Sequence, residues 1–166
     1  LTIKKHKKSF DQIKVAIVGD IKHSRVARSL AEGLRIMGGK KLALIAPEEF
    51  KPNMEFYPKA EHYKNLDQGL VNADVVVALR VQKERIESLT KTMSPDDYFE
   101  KYGLTKKRLQ PCNENVIVMH PGPVNRGVEI SDEVADGTNS VIREQVTNGI
   151  AIRMALLSMM QAEVMK

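Results

Sequence analysis

Two arginines are the residues of this sequence whose type and position best suit binding chemistry. Arg25 follows one short apolar segment and lies in the first turn of a predicted helix, and Arg80 ends another apolar segment. A planar guanidinium group holds a carboxylate through two parallel hydrogen bonds, which a lysine cannot do. The pair therefore predicts a site for a ligand with two carboxylates. Each arginine could instead pair with a local acid, such as Asp20 or Glu84, and the sequence leaves that alternative open.

The elements that position these arginines follow an alternation of short apolar runs and amphipathic stretches. This pattern is typical of a parallel sheet covered by helices. The predicted strands are Lys14–Gly19, Lys41–Ala46, Asp74–Leu79 and Asn115–Met119, and the predicted helices are Ser24–Met37, Leu66–Asn72, Pro95–Tyr102 and a terminal helix from Ser140 to about residue 162. We therefore predict one α/β domain: a Rossmann-like open parallel sheet of about four to five strands with helices on both faces.

Ligands of such sheets bind beyond the carboxyl ends of the strands, so three loops are candidates for the site. Two of them carry Arg25 and Arg80, and the third begins at His120, Pro121, Gly122 and Pro123. Two prolines stop the preceding strand, and Gly122 between them fixes the backbone so that its carbonyls can face a small polar group. The alternative for Gly122 is a tight turn alone. A lone histidine after a strand is more often structural than catalytic, so no catalytic role is assigned to His120.

Composition excludes several classes of function. The chain has 166 residues and a formal net charge of +5, but its one dense basic run, Lys4–Lys8, contains no aromatic residue for stacking, so no nucleic-acid partner is predicted. No apolar run is long enough to span a membrane, and a cytoplasmic protein is expected. The single Cys112 and the four unpaired histidines predict neither a disulfide nor a metal site.

A dinucleotide site is also disfavoured, although the first strand and Gly19 resemble the opening of a nucleotide-binding unit. Ile21 and Ser24 stand where that motif needs its second and third glycines, and Lys22 and His23 would obstruct a pyrophosphate. No cofactor is predicted.

Three motifs, in order along the chain, resemble those of aspartate carbamoyltransferase catalytic chains. They are Gly19–Ser29, Leu79–Arg85 and Met119–Ile130, and the segment Glu144–Ala155 is similar to the last helix of that family. The resemblance covers nearly the whole chain. It implies that Arg25 holds the α-carboxylate of L-aspartate, that Arg80 and Gln82 hold its β-carboxylate, and that Gly122 and Pro123 contact carbamoyl phosphate through their backbone.

The related ornithine enzymes fit less well. They resemble this chain less at Pro121, where they carry a cysteine, and at Arg80–Gln82, where their substrate motif differs. A cationic ornithine side chain would also be repelled by Arg80.

The resemblance further implies what the chain would need in order to act. The upstream Ser-Thr-Arg-Thr and His-Pro-Thr-Gln motifs of the family are not in this sequence, so residues 1–166 are expected to be the aspartate-binding domain, inactive alone. The terminal helix, residues 140–163, is expected to pack on the missing carbamoyl-phosphate domain. The complete protein is expected to be a homotrimer, with regulatory or dihydroorotase subunits as possible partners. A non-catalytic module that binds a dicarboxylate is the alternative.

Overall fold

A parallel five-stranded sheet forms the centre of the computed structural model, which describes residues 1–82, 84, 86 and 93–164. The strands are β1 (Lys14–Val18), β2 (Lys41–Ile45), β3 (Glu61–Tyr63), β4 (Val75–Ala78) and β5 (Ile117–Met119). Their order across the sheet is β3-β2-β1-β4-β5, and every neighbouring pair is parallel. The predicted fold class is confirmed.

The central strands are apolar along their whole length because both faces of the sheet are covered. All four residues of β4 are buried, and so are Val15 to Val18 of β1. A parallel strand buried on both faces reads as a continuous apolar run, whereas a strand with one solvated face would alternate. This difference explains why the short Val- and Ile-rich runs could be recognised in the sequence.

Six helices are described around the sheet. They are α1 (Thr2–His6), α2 (Arg25–Ile36), α3 (Leu66–Leu70), α4 (Pro95–Tyr102), α5 (Asp132–Ala135) and α6 (Ile142–Val164). Helix α2 leads from β1 outward to β2, whereas α3 leads from β3 back to β4. Because both crossovers are expected to be right-handed, connections in opposite directions place these two helices on opposite faces.

Capping side chains set where α2 and α4 begin. The Ser24 hydroxyl accepts a hydrogen bond of 3.0 Å from the backbone N–H of Ala27 at the start of α2. At α4 the Ser94 hydroxyl accepts from Asp97 N over 3.1 Å, and the Asp97 carboxylate accepts from Ser94 N over 2.9 Å. With Pro95 in the first helical position, this reciprocal pair explains why the predicted bounds of α4 are confirmed residue for residue.

The edge strand β3 was missed because its sequence carries no strand pattern. It has three residues, Glu61–Tyr63, none of them fully buried, and it follows a loop that contains three prolines. Its position depends on backbone pairing with β2, which continues where Ala46 N donates to the Tyr63 carbonyl over 3.1 Å. Such pairing depends on main-chain groups and leaves little trace in the side-chain sequence.

The basic run at the start of the chain falls outside every predicted element, and Lys4, Lys5, His6 and Lys8 are exposed. Its first three residues belong to α1, which packs against α6. The carboxylate of Glu144 lies 3.3 Å from Lys5 Nζ and 2.6 Å from His6 Nε2. The Asn148 side chain donates a hydrogen bond to the Thr2 hydroxyl over 2.9 Å. These contacts join residues about 140 positions apart, so no local pattern reveals them.

Residues 151–162 of helix α6 are all exposed. Its predicted apolar face is exposed: Val146 is 56% accessible, Ile150 50%, Met154 66% and Leu157 67%. Apolar side chains at helical spacing normally face a partner surface. The prediction that this face packs on another domain stays a prediction.

Two expected absences concern only the part of the chain that the structure describes. No described helix is both long and apolar enough to cross a membrane. Among the same residues, no group of three or more His, Cys, Asp or Glu side chains is arranged to hold a metal ion.

Cys112 is a half-buried thiol whose environment disfavours the thiolate. Burial raises its pKa to about 11, the carboxylate of Asp74 acts in the same direction, and Lys14 opposes them. Because the thiolate is the reactive form, we expect iodoacetamide to alkylate Cys112 at pH 8 roughly a hundredfold more slowly than an unperturbed cysteine peptide. Mass spectrometry of a time course that contains the protein and the peptide would measure the ratio of the two alkylation rates. Equal rates would contradict the raised pKa of Cys112.

Candidate functional site

The candidate site lies at the carboxyl ends of β1 and β4, where the chain changes direction across the sheet. From β1 the chain moves outward through β2 to β3 and then returns to β4 and β5 on the other side. Ligands of open parallel sheets bind at such a switch point because the loops that follow the strands separate there. Leu79 N donates to the Val18 carbonyl over 2.8 Å, so the two strand ends are in direct contact.

Gly19 allows the two loops to begin side by side. Its φ of +126° is a conformation that L side chains rarely adopt, and a Cβ atom there would lie 3.2 Å from both the Cβ and the carbonyl oxygen of Leu79. Any larger residue would push the loop carrying Arg25 away from the loop carrying Arg80. The glycine predicted to end the strand therefore also lets the two loops start close together.

Arg25 is the first residue of α2 and is exposed. The neighbouring acid, Asp20, is buried. Its carboxylate accepts hydrogen bonds from His23 instead, from the ring nitrogen Nδ1 over 2.8 Å and from the backbone N–H over 3.2 Å. A cation at a helix N-terminus is opposed by the helix dipole, so this position is unfavourable without an anion nearby. Within the described residues, Arg25 forms no ion pair, which removes Asp20 as its partner.

Arg80 and Gln82 follow β4 and are both exposed, whereas Val81 between them is fully buried. The two exposed side chains therefore both face solvent, on either side of the buried Val81. Among the residues that the structure describes, Glu84 included, Arg80 has no acidic partner. The Lys83 and Arg85 part of the predicted motif lies outside the described residues.

The loop with Gly122 and Pro123 is tied to this segment by one side chain. The Asn125 amide Nδ2 donates to the Val81 carbonyl over 2.9 Å. Gly122 has φ +70°, the Gly122–Pro123 peptide bond is cis, and both residues are exposed. The loop after β5 is thereby held beside the Arg80–Gln82 segment.

His120 is a structural residue. It is 1% accessible, its Nδ1 accepts from the Gly122 backbone N–H over 2.9 Å, and its Nε2 lies 3.0 Å from Glu129 Oε1. Because an N–H group can only donate, Nδ1 carries no proton, and Nε2 is the nitrogen that donates to the carboxylate. The ring is neutral in this arrangement and orients the Gly122 backbone instead of facing a ligand.

Glu129 and Asn125 are the residues that the sequence prediction missed. Glu129 Oε1 accepts both from His120 and from the Asn125 backbone N–H at 2.5 Å, so one buried carboxylate holds both ends of the loop. The available signal was an acid between two apolar residues, Val128 and Ile130, near the end of the third motif. A charged residue inside an apolar run is buried at a cost unless it is hydrogen-bonded.

Tyr98 of α4 forms the floor beneath the strand ends. It is fully buried, and its hydroxyl lies 3.5 Å from where a Cβ on Gly19 would be. Burial raises the pKa of this hydroxyl, and the negative charges of Glu129 and Asp20 add to the effect. The phenol therefore stays neutral and lies beside Gly19, at the start of the loop that carries Arg25.

The structure thus brings the five predicted site residues to one edge of the sheet. Arg25, Arg80 and Gln82 follow two adjacent strands, and Gly122 and Pro123 lie on a loop bonded to the second of them. Their individual binding roles stay predictions.

Comparison with known proteins places the chain in a family. The model for the Asp/Orn-binding domain of aspartate/ornithine carbamoyltransferases matches residues 11–160. The chain is 48% identical over 160 residues to the aspartate carbamoyltransferase catalytic subunit of Ruthia magnifica subsp. Calyptogena magnifica. The matched region covers 96% of this chain and 50% of that relative. The chain belongs to the aspartate/ornithine carbamoyltransferase family.

Solved structures agree with this fold. Aspartate transcarbamoylase from Trypanosoma cruzi, in complex with carbamoyl aspartate and phosphate, matches with a TM-score of 0.78 and 27% identity over 94% of this chain and 52% of that one. Ornithine carbamoyltransferase from Pyrococcus furiosus matches with a TM-score of 0.81 and 23% identity, over 95% of this chain and 52% of that one. At this identity the match supports the fold alone. The chain spans about half the length of these relatives.

Proposed function

We propose that this chain is the L-aspartate-binding part of an aspartate carbamoyltransferase. The reaction transfers a carbamoyl group from carbamoyl phosphate to L-aspartate and gives N-carbamoyl-L-aspartate and phosphate, a step in de novo pyrimidine biosynthesis. One observation carries the proposal: two exposed guanidinium groups follow adjacent strands at the switch point, and neither is paired with an acid in the described part of the chain. A dicarboxylate would supply the missing anions.

Each site residue has a role in this proposal. Arg25 holds the α-carboxylate of L-aspartate, and Arg80 with Gln82 holds the β-carboxylate, because a guanidinium fork and an amide can together satisfy both carboxylate oxygens. Gly122 and Pro123 present backbone groups to the carbamoyl moiety. The bond from Asn125 to Val81 keeps the two substrates' binding segments in register.

The chemistry requires little beyond correct placement and charge. The amino group of aspartate attacks the carbamoyl carbon, the bond from that carbon to the phosphate oxygen breaks, and phosphate leaves with the proton that the attacking nitrogen loses. Holding both reactants in one orientation lowers the barrier, and cationic groups stabilise the negative charge that develops. No side chain of this chain is assigned as general acid or base, since His120 is buried and already bonded on both ring nitrogens.

The site favours L-aspartate over L-ornithine on electrostatic grounds. The ornithine side chain ends in an ammonium group, which Arg80 would repel, whereas the aspartate side chain ends in a carboxylate. Pro121 and the Arg80–Gln82 segment support the same choice, as does the name of the 48% identical relative.

The proposal extends to the assembly. The exposed face of α6 would pack on a carbamoyl-phosphate-binding domain, and the complete protein would be a cytoplasmic homotrimer, with regulatory or dihydroorotase subunits as further possible partners. Fourteen large apolar side chains are exposed in the described chain, eight of them on α6, which supports a further packing surface there.

Turnover measurements test the proposed function. Residues 1–166 alone are expected to form no N-carbamoyl-L-aspartate, because they offer carbamoyl phosphate little besides the Gly122–Pro123 backbone. The complete polypeptide that contains this chain is expected to form it from carbamoyl phosphate and L-aspartate, with L-ornithine as the negative control. A colorimetric ureido assay measures both. Turnover by residues 1–166 alone would refute the prediction that they are inactive. Formation of citrulline by the complete protein would refute the proposal that L-aspartate is the substrate.

A further inference from the structure

A cavity lined by cationic side chains lies on the β2 side of β1. The five predicted site residues, Arg25, Arg80, Gln82, Gly122 and Pro123, follow β1, β4 and β5 and are called here the dicarboxylate edge. The cavity has a volume of about 350 Å³ and opens between the loop after β1, the second turn of α2 and the segment between β2 and β3. The lining residues that matter here are Lys22, Arg28, Glu48, Lys51, Phe56 and Tyr57. None of the five residues of the dicarboxylate edge lines it, so the cavity is a separate feature of the fold.

The Tyr57 hydroxyl is the buried polar group of this cavity. Tyr57 is 3% accessible, and its hydroxyl has no hydrogen-bond partner among the described residues. Burial raises the pKa of this hydroxyl, and the charge of the nearby Arg28 guanidinium opposes that effect. Because the pKa is raised, the hydroxyl keeps its proton at neutral pH and can donate a hydrogen bond. Buried hydroxyls are nearly always bonded, which indicates that an acceptor oxygen belongs here.

The cations around this hydroxyl are available for an anion. Lys22 and Arg28 form no ion pair within the described part of the chain. The Arg28 guanidinium carbon lies 5.9 Å from the centroid of the Phe56 ring, which restrains its orientation.

The one acid of the cavity, Glu48, is already neutralised. Its carboxylate oxygens lie 3.4 Å from Lys51 Nζ and 2.7 Å from Lys64 Nζ. The remaining charge of the cavity is therefore positive.

We propose that this cavity binds a phosphate group, either as inorganic phosphate or as the monoester of a small molecule. An ammonium, a guanidinium and a phenol hydroxyl line the same space from three different chain segments, which suits the several oxygens of a tetrahedral oxyanion better than the two oxygens of a planar carboxylate. The cavity is larger than a phosphate ion, and Phe56 is 60% exposed at its side, so an organic substituent has room. The proposal does not depend on carbamoyl transfer.

Phosphate titration of this chain, followed by backbone amide NMR at constant ionic strength, tests the proposal. We expect saturable shifts at Lys22, Phe56 and Tyr57. Tyr57→Phe should weaken binding about fivefold, because it removes one hydrogen bond, and Arg28→Gln should weaken it about tenfold or more, because it removes a charged donor. The Tyr57 hydroxyl has no protein partner among the described residues, so Tyr57→Phe should fold normally.

Two further variants distinguish this cavity from nonspecific binding elsewhere on the chain. Arg35→Gln changes an exposed arginine of α2 that does not line this cavity and should bind phosphate like the unmodified chain. Lys8→Ala, which changes an exposed lysine outside this cavity, should also leave phosphate binding unchanged. Tighter binding of glycerol phosphate than of phosphate would identify a monoester as the ligand, and the reverse order would identify the free ion. Shifts that do not saturate, or that are equal in Tyr57→Phe, Arg28→Gln and the unmodified chain, overturn the proposal.

Discussion

Replacing Arg80 by alanine is expected to reduce kcat/KM for L-aspartate about a hundredfold or more in the complete protein. Hydrogen bonds to charged groups contribute about 1.5 to 3 kcal/mol each, and Arg80→Ala removes a fork that makes two of them. A loss of about 3 kcal/mol corresponds to more than a hundredfold in binding. The effect should appear mainly as a higher KM, because the lost contacts hold the ground state as well as the transition state.

Two companion variants make this test specific. Arg80→Lys keeps the charge and loses the planar fork, so it should recover part of the affinity and no more. Arg35→Ala removes an exposed arginine that pairs with Glu32 at 2.7 Å in the last turn of α2, and it should stay within about twofold of the unmodified protein. Calorimetry with a bisubstrate mimic that carries both aspartate carboxylates provides a second measurement. Unchanged affinity in Arg80→Ala would remove Arg80 from the site.

Replacing Glu129 by alanine is expected to destabilise the fold by about 3 kcal/mol. The change leaves two donors, the buried His120 ring nitrogen Nε2 and the part-buried Asn125 backbone N–H, without their common acceptor. A buried polar group left unsatisfied costs about 1 to 3 kcal/mol. Urea denaturation, followed by circular dichroism, measures the change in the free energy of unfolding.

The comparison variants separate the hydrogen bonds of Glu129 from its charge. Glu129→Gln retains an acceptor oxygen and should cost about 1 kcal/mol, because a neutral acceptor bonds more weakly than a carboxylate. Glu114→Ala changes an exposed acid in the turn before β5 and should stay within about 0.5 kcal/mol of the unmodified chain. If Glu129→Ala were no more destabilising than Glu114→Ala, the carboxylate would not be holding the loop.

Several features of this protein could be predicted from sequence because they depend on neighbours in the chain. The bounds of α4 follow from Ser94, Pro95 and Asp97, whose capping interactions span three residues. The central strands follow from short apolar runs whose burial on both faces is a general consequence of a parallel sheet. The positions of Arg25 and Arg80 after two such strands follow from the same pattern.

Other features were decided by contacts between distant parts of the chain. The edge strand β3 exists because its backbone pairs with β2, and α1 is positioned by Glu144 and Asn148, far along the sequence. The role of His120 was decided by the hydrogen bonds of its two ring nitrogens, one of which reaches Glu129. The link from Asn125 to Val81 likewise joins residues 44 positions apart.

The physical reason for this division is the range of the interactions involved. Helix caps, strand hydrophobicity and turn geometry are set by residues within a few positions of one another, so the amino-acid sequence determined the fold class and the residue types at the sheet edge. Hydrogen bonds between loops depend on where the sheet places them in space. The tertiary structure therefore decided that a buried glutamate and an asparagine hold the loop after β5 beside Arg80, and that a cavity with cationic side chains lies around Tyr57.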